Sequence, residues 1–367
     1  MPLIQNDEYW MQRCLTLAAK GKGHTSPNPL VGAVIVKDGK KISEGYHRKY
    51  GEHHAEINAI NNALRRKLSL KDATLYVNLE PCFHYGKTPP CVDAIIQHQF
   101  KRVVVATIDP NPRVNGKSIA KLKKVGIQCT TGVLKEEALV LNEKFFKFIK
   151  KKLPFVALKA AQTADGFIAK NNGASKWIST KQSRRYVHQL RSEYDAVIVG
   201  ANTVITDNPL LTVRYVKGRN PVRIVLDGNL KTSAEYKIFN GDAPTILYTS
   251  TSAAKLHHAK IAAVKKKNII VVPVPAIKGK IAIKKILRDL AKRNIASVLV
   301  EGGQTMFSEF LNARVVDKIY LFTSPKTFGS GIPTFGEILI PFLAKRVTAQ
   351  KFATDLYEEY FLSYSTW

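Results

Sequence analysis

The sequence predicts an α/β protein in two domains, on three observations. Short apolar runs of strand length alternate with longer segments whose apolar residues recur at helical spacing, the pattern of a layered α/β fold that binds ligands at strand carboxyl ends. The chain, at 367 residues, exceeds the size at which one hydrophobic core keeps growing. A basic cluster closed by proline, Lys150-Lys151-Lys152-Leu153-Pro154, breaks the composition and reads as a linker, so domains are expected at 1–152 and 153–367.

In the first domain, Tyr9 to Lys20 carries apolar residues at helical spacing (Trp10, Met11, Cys14, Leu15, Ala18) and stops at Gly21 and Gly23. Pro27-Asn28-Pro29 precedes an apolar strand, Leu30 to Val36, and a proline-fixed edge would hold the Asn28 amide rigidly toward a base edge; a turn asparagine is the alternative. Ser43 to His47 is a second strand end. Thr74 to Leu79 is a buried strand that delivers Glu80-Pro81-Cys82. Arg102 to Thr107 is another, followed by the turn Asp109-Pro110-Asn111-Pro112. Helices around 119–124 and 135–150, with a strand at 127–132 between them, complete the alternation, largely parallel in expectation.

Within this domain lies a zinc-site pattern. His54 opens a helical segment (Ile57, Ile60, Ala63, Leu64), and Cys82 and Cys91, each beside a proline, follow downstream. A catalytic zinc needs three protein ligands and an open fourth position, and three are present. Glu56, two residues after His54, can stand beside the metal and shuttle protons to a leaving amine. H-x-E followed by P-C and a second cysteine is the signature of zinc nucleobase deaminases, although eight residues separate the cysteines here where two are usual. Proline in the first turn places Cys91 at a helix amino terminus, which favours thiolate. His53 and His84 compete as ligands but rank lower. His53 precedes the helix, and His84 lies inside the cysteine loop. Taken singly, two cysteines are more often inert buried thiols, the reading for Cys14 and Cys129.

The second domain opens with a strand from Phe155 that runs into the turn Asp165-Gly166. A helix from Thr180 to Arg191 follows, capped by Ser179 or Thr180. Strands are expected at 195–201, 222–226, 245–248, 269–274, 297–300 and 319–323. The stretch Val300-Glu301-Gly302-Gly303 ends a buried strand and feeds a helix, so free backbone amides and the helix dipole suit a phosphate or pyrophosphate; alone, Gly-Gly before a helix is more often a turn. No G-x-G-x-x-G occurs, so an ordinary Rossmann reading is unsupported.

Composition excludes other classes. The first residues have no basic, apolar leader pattern, and no run of 18 uncharged apolar residues occurs, so a cytoplasmic protein with no membrane partner is expected. Four cysteines are too few for a disulfide scaffold and suit a reducing compartment. The formal charge of +29 raises nucleic acid as a partner, yet the lysines are scattered on helix faces and loop ends, so none is expected.

The motif P-C-x-H-x-G-K-T-P-P-C from Pro81 resembles the deaminase half of the bifunctional riboflavin-biosynthesis deaminase/reductase family. The second half resembles its reductase: L-K-A-A and D-G-x-I-A, S-K-W-I-S, the run from Thr203 to Arg214, P-V-R-I-V-L-D from Pro221, and V-E-G-G. Thr163-Ala164 replaces the family's usual Ser-Leu, and the segment after Gly331 carries little motif. The resemblance implies a cytidine-deaminase-like three-layer domain and a dihydrofolate-reductase-like domain. The first hydrolyses an amino group of a phosphoribosylated diaminopyrimidinone with Zn2+; the second reduces the ribose to ribityl with NADPH, in a homo-oligomer.

Carried over, His54, Cys82 and Cys91 bind zinc, Glu56 moves protons, and Asn28, His47, Lys87 and Asn111 surround the first substrate. Lys159, Ser175, Arg191, Leu211, Arg214 and Glu301 sit at the second substrate, with Arg191 and Arg214 clamping its phosphate and Lys159 assisting hydride transfer. Ala161, Trp177, Thr203, Asp207, Gly228, Gly303, Gln304, Thr305, Met306, Phe307, Ser308 and Glu309 sit at the nicotinamide cofactor. The alternative is a zinc deaminase acting on tRNA or other nucleic acid, with the second half a basic binding module.

Overall fold

The computed structural model describes residues 6–85, 89–175, 177–277, 280–336 and 344–363. They form two compact units, one ending at Lys151 and the other beginning at Lys152.

The first unit runs α1 (Asp7–Ala19), β1 (Gly32–Lys37), β2 (Lys40–Tyr46), α2 (Ala55–Arg65), β3 (Thr74–Val77), α3 (Cys91–Gln97), β4 (Arg102–Val105), α4 (Lys117–Lys124), β5 (Gln128–Thr131), α5 (Lys135–Leu141) and α6 (Glu143–Lys151). Its sheet has the order β2-β1-β3-β4-β5. The sheet is mixed: β1 is antiparallel to β2 and β3, and only β3, β4 and β5 run parallel. Strand alternation sorts the core into two layers. Ala33, Ile35, Leu75, Val77, Val103 and Val105 pack with α2, α3, α4 and α6, whereas Val34, Val36, Tyr76 and Val104 pack with α1. Gly45 lets α2 lie directly on β2, since a Cβ there would stand 2.5 Å from the Ala59 nitrogen.

The single helix expected at 135–150 is two helices broken at Asn142. The buried Asn142 amide accepts from the Leu30 N–H at 2.8 Å and donates to the Leu30 carbonyl at 2.9 Å. That pairing braces the chain just after Asn28-Pro29.

The second unit runs β6 (Phe155–Gln162), β7 (Phe167–Ala169), α7 (Lys181–Glu193), β8 (Ala196–Gly200), α8 (Ala201–Asp207), β9 (Val222–Leu226), β10 (Thr245–Ser250), α9 (Thr251–Leu256), α10 (His258–Lys266), β11 (Ile270–Val274), β12 (Ala276–Ile277), β13 (Lys280–Ile281), α11 (Ile283–Lys292), β14 (Ser297–Glu301), α12 (Gln304–Asn312), β15 (Lys318–Thr323), β16 (Ile332–Pro333), β17 (Ala344–Phe352) and β18 (Asp355–Leu362). The main sheet has the order β11-β10-β9-β8-β14-β6-β15-β18-β17. It is parallel from β11 to β15 and antiparallel at β18 and β17. One face buries Val156, Leu158, Ile198, Ile224, Val298 and Val300 against Ile286 and Leu290 of α11 and Phe307 and Phe310 of α12. Thr180 caps α7 by accepting from the Ser183 amide. The hairpin of β17 and β18 has no counterpart among the expected strands: β17 is an exposed edge strand, so its residues lack the alternation of a half-buried one.

Candidate functional site

At the strand ends of the first unit, Nδ1 of His54 lies 3.5 Å from Sγ of Cys82 and 3.4 Å from Sγ of Cys91. His54 is the N-cap of α2, Cys91 is the first residue of α3, and Cys82 follows β3, so two helix amino termini face one point. All three donor atoms fall within 4.8 Å of one another. A tetrahedral zinc about 2.3 Å from sulfur and about 2.0 Å from nitrogen implies S···N edges of about 3.5 Å, so the donor set fits that ion. His53 and His84 are not in this cluster.

In the protein alone these donors share protons. The hydrogen bond from Cys91 pulls the Cys82 thiol down to about 4 against the effect of burial, with His54 helping. The same bond and burial push Cys91 well up, and the hydrogen bond to Cys82 raises His54 to about 9. A divalent cation replaces those protons. Glu56 is buried, 3% exposed, and burial raises its pKa, which suits a group that must both take and give a proton.

His47 and Asn28 stand beside the cluster. The His47 ring meets that of His54 edge-on at 5.3 Å. Its Nδ1 faces the His53 carbonyl at 3.1 Å and its Nε2 faces the Asn28 amide nitrogen at 3.3 Å. Those partners assign the tautomer: Nδ1–H donates and Nε2 accepts. Asn111 lies on the loop after Asp109; its amide N–H donates to Asp109 at 2.7 Å and its side chain accepts from Arg113 at 3.1 Å. Lys87 lies outside the described residues.

Glu80 anchors this loop, a role the sequence reading missed. Its carboxylate accepts from the backbone N–H of Asp109, Gly116 and Ser118 at 3.2, 2.8 and 3.1 Å, and the Ser118 hydroxyl donates to the Pro81 carbonyl at 2.7 Å. The signal was available: α4 begins after Gly116, which offers no side-chain cap, so its first amides need an acceptor from elsewhere.

The second unit has a cleft of about 1040 Å³ at the carboxyl ends of its central strands. Lys159, Ala161, Ser175, Trp177, Arg191, Thr203, Asp207, Leu211, Arg214, Gly228, Glu301, Gly303, Gln304, Thr305, Met306, Phe307 and Glu309 all line it. Ser308 does not. Its Oγ lies toward Gly336, as does the Gln304 amide one turn earlier on the same helix face. Gly303 caps α12 without a side-chain acceptor, leaving first-turn amides for an anion.

At the heart of the cleft Glu301, 8% exposed, takes Nε and Nη2 of Arg191 at 2.6 and 2.9 Å, and Nζ of Lys159 lies 3.9 Å away. The Nε–Nη2 edge of Arg191, expected at the substrate phosphate, is closed on this buried carboxylate. Burial opposes ionisation of Glu301, but the Arg191 charge and its hydrogen bonds, with Lys159, hold its pKa at about 2. Burial lowers the Lys159 pKa despite the pull of Glu301. Trp177, 62% exposed, carries the Arg184 guanidinium 4.4 Å above its ring.

Comparison with known proteins accounts for both sites. Residues 4–107 match the cytidine and deoxycytidylate deaminase zinc-binding region, and residues 154–357 match the RibD C-terminal domain. The riboflavin biosynthesis protein RibD of Aquifex aeolicus is 45% identical over 347 residues, 94% of each chain. That of Escherichia coli is 35% identical over 359 residues, again 94% of each. The crystal structure of a diaminohydroxyphosphoribosylaminopyrimidine deaminase/5-amino-6-(5-phosphoribosylamino)uracil reductase from Thermotoga maritima superposes with a TM-score of 0.85 at 42% identity, covering 97% of this chain and 98% of that one. The nucleic-acid alternative finds no support in these relatives. With both units matched in this order and the relatives spanned almost end to end, the chain belongs to the RibD family, bifunctional enzymes of riboflavin biosynthesis that join a zinc-dependent, cytidine-deaminase-like domain to an NADPH-dependent reductase with a dihydrofolate-reductase-like fold.

Proposed function

We propose that the first unit, residues 1–152, deaminates 2,5-diamino-6-(5-phosphoribosylamino)pyrimidin-4(3H)-one and that the second, 153–367, reduces the ribosyl group of the product to ribityl. The observation that carries this reading is the meeting of His54, Cys82 and Cys91 beside the buried carboxyl of Glu56. Held by those three side chains, zinc supplies the Lewis acidity that makes water nucleophilic near neutral pH. Glu56 takes the proton that water loses and returns it to the departing amine. Asn28 holds the pyrimidine through a hydrogen bond from an amide that His47, beside the substrate, keeps in place.

The second-site cleft, with the amino terminus of α12, would hold NADPH, which would supply the hydride for reduction at C1 of the ring-opened ribose imine. Lys159 assists with a proton, its ammonium made more acidic by burial and steadied by Glu301. Arg214 binds the phosphate, and the α12 amino terminus takes the cofactor pyrophosphate. Four free cysteines suit a reducing, cytoplasmic setting, and the exposed edge strand β17 suits a homo-oligomer, dimer or tetramer, with no nucleic acid as ligand.

Two variants test the division of labour. Glu56→Ala should end ammonia release and leave NADPH oxidation on the deaminated substrate within about twofold of wild type, whereas Arg214→Ala should leave ammonia release within about twofold and raise the KM of NADPH oxidation for the phosphorylated substrate by more than about tenfold. Loss of both activities in either folded variant would overturn the two-site reading.

A further inference from the structure

The segment from Pro209 to Arg214 crosses the cleft with no ladder partner; it has neither helix nor strand geometry. Side chains hold its backbone instead. Arg223, fully buried on β9, donates to the Leu210 carbonyl at 3.4 Å; Arg191 donates to the Thr212 carbonyl at 3.4 Å; Asn220 accepts from the Val213 N–H at 2.8 Å. The last of these tethers is His188, whose Nδ1 accepts from the Arg214 N–H at 3.0 Å. The His188 ring also packs against that of Tyr215, with centroids 4.5 Å apart.

His188 stands on α7 between Arg184 and Arg191, at i−4 and i+3, on the face turned to the cleft. We propose that His188 is a positioning residue of the reductase site: as a neutral acceptor on α7 it fixes the backbone of Arg214 and so aims that guanidinium at the phosphate of the substrate. An N–H donor at Nδ1 requires the lone pair there, so the ring proton sits on Nε2 and the ring is uncharged. The surroundings enforce this state. Burial, then the charges of Arg191 and Arg214, lower the His188 pKa to about 4. A lysine or arginine here has no lone pair to offer. A protonated ring would turn an N–H toward the Arg214 amide and add a third cation beside Arg191 and Arg214.

The inference rests on the reading of Arg214 as the phosphate ligand, and the experiment separates the two. NADPH oxidation is measured on 5-amino-6-(5-phosphoribosylamino)uracil and on the same compound without its phosphate, for wild type, H188A, H188N, H188Q and R214A. The Asn carbonyl oxygen falls near the position of Nδ1, whereas the Gln amide mimics Nε2.

H188A and H188Q should raise KM for the phosphorylated substrate about tenfold, with kcat and the KM for NADPH within about twofold of wild type. H188N should stay within about threefold, and the substrate without phosphate should not distinguish any of these variants from wild type. Equal rescue by H188N and H188Q, or an equal rise in the KM for NADPH, would overturn the role of His188 alone. So would a preference for the phosphorylated substrate that R214A loses and H188A and H188Q keep. If R214A itself kept that preference, the reading of Arg214 would fail and this inference with it. Should H188A not fold, the two amide variants carry the comparison.

Discussion

Glu301 shows how one carboxylate can serve both folding and chemistry. It is buried, and only its paired ion Arg191, with Lys159 nearby, makes its charge tolerable. Removing one partner leaves the other charge buried alone. Glu301→Gln or Arg191→Met is therefore expected to destabilise the second unit by about 3–5 kcal/mol, and the double variant by less than the sum, as urea unfolding would measure. The pH dependence has a definite sign. The folded pKa of Glu301, about 2, lies below its ordinary 4.5, so the ion pair stabilises fully above pH 4.5 and loses its effect as pH falls from there through 2. A Glu301→Gln variant should show a flatter loss of stability across that acid window than wild type does.

Elements, not single residues, decide how the zinc ligands meet. His54 and Glu56 ride on α2, and α2 can approach β2 only because residue 45 has no side chain. Gly45→Ala would press a methyl against the Ala59 nitrogen and the Ala55 carbonyl, at 2.5 and 2.7 Å, and push the helix outward. The cost should be about 1–3 kcal/mol of stability with less than one zinc retained per chain after dialysis, read by melting and by metal analysis. The Asn142 break between α5 and α6 belongs to the same scale: the helix gives up continuity so that an amide can brace Leu30.

Over the whole molecule the two chemistries draw on different units, different cores and different ligands. Chelation is expected to end ammonia release while leaving NADPH oxidation on the deaminated substrate unchanged, and to lower only the melting transition of the first unit. A parallel fall in both activities on adding chelator, restored together by zinc, would contradict that independence. No helix among the described residues is long and apolar enough to cross a membrane.

The local signals in this chain were legible from residue order alone: the continuous apolar runs of β3, β4 and β14, the H-x-E and P-C spacing, and Gly-Gly before α12. Each of these is written within a few neighbouring residues, by the period of a strand or helix or by the donor types a metal demands. Folding decided what depends on groups distant in sequence. It closed Arg191 onto Glu301 across 110 positions, drew Glu80 under the amides of 109–118, and broke a helix at Asn142 for the sake of Leu30. A side chain carries its chemistry in its own formula, but its partner, its charge state and its direction are set by whatever the packed chain brings beside it.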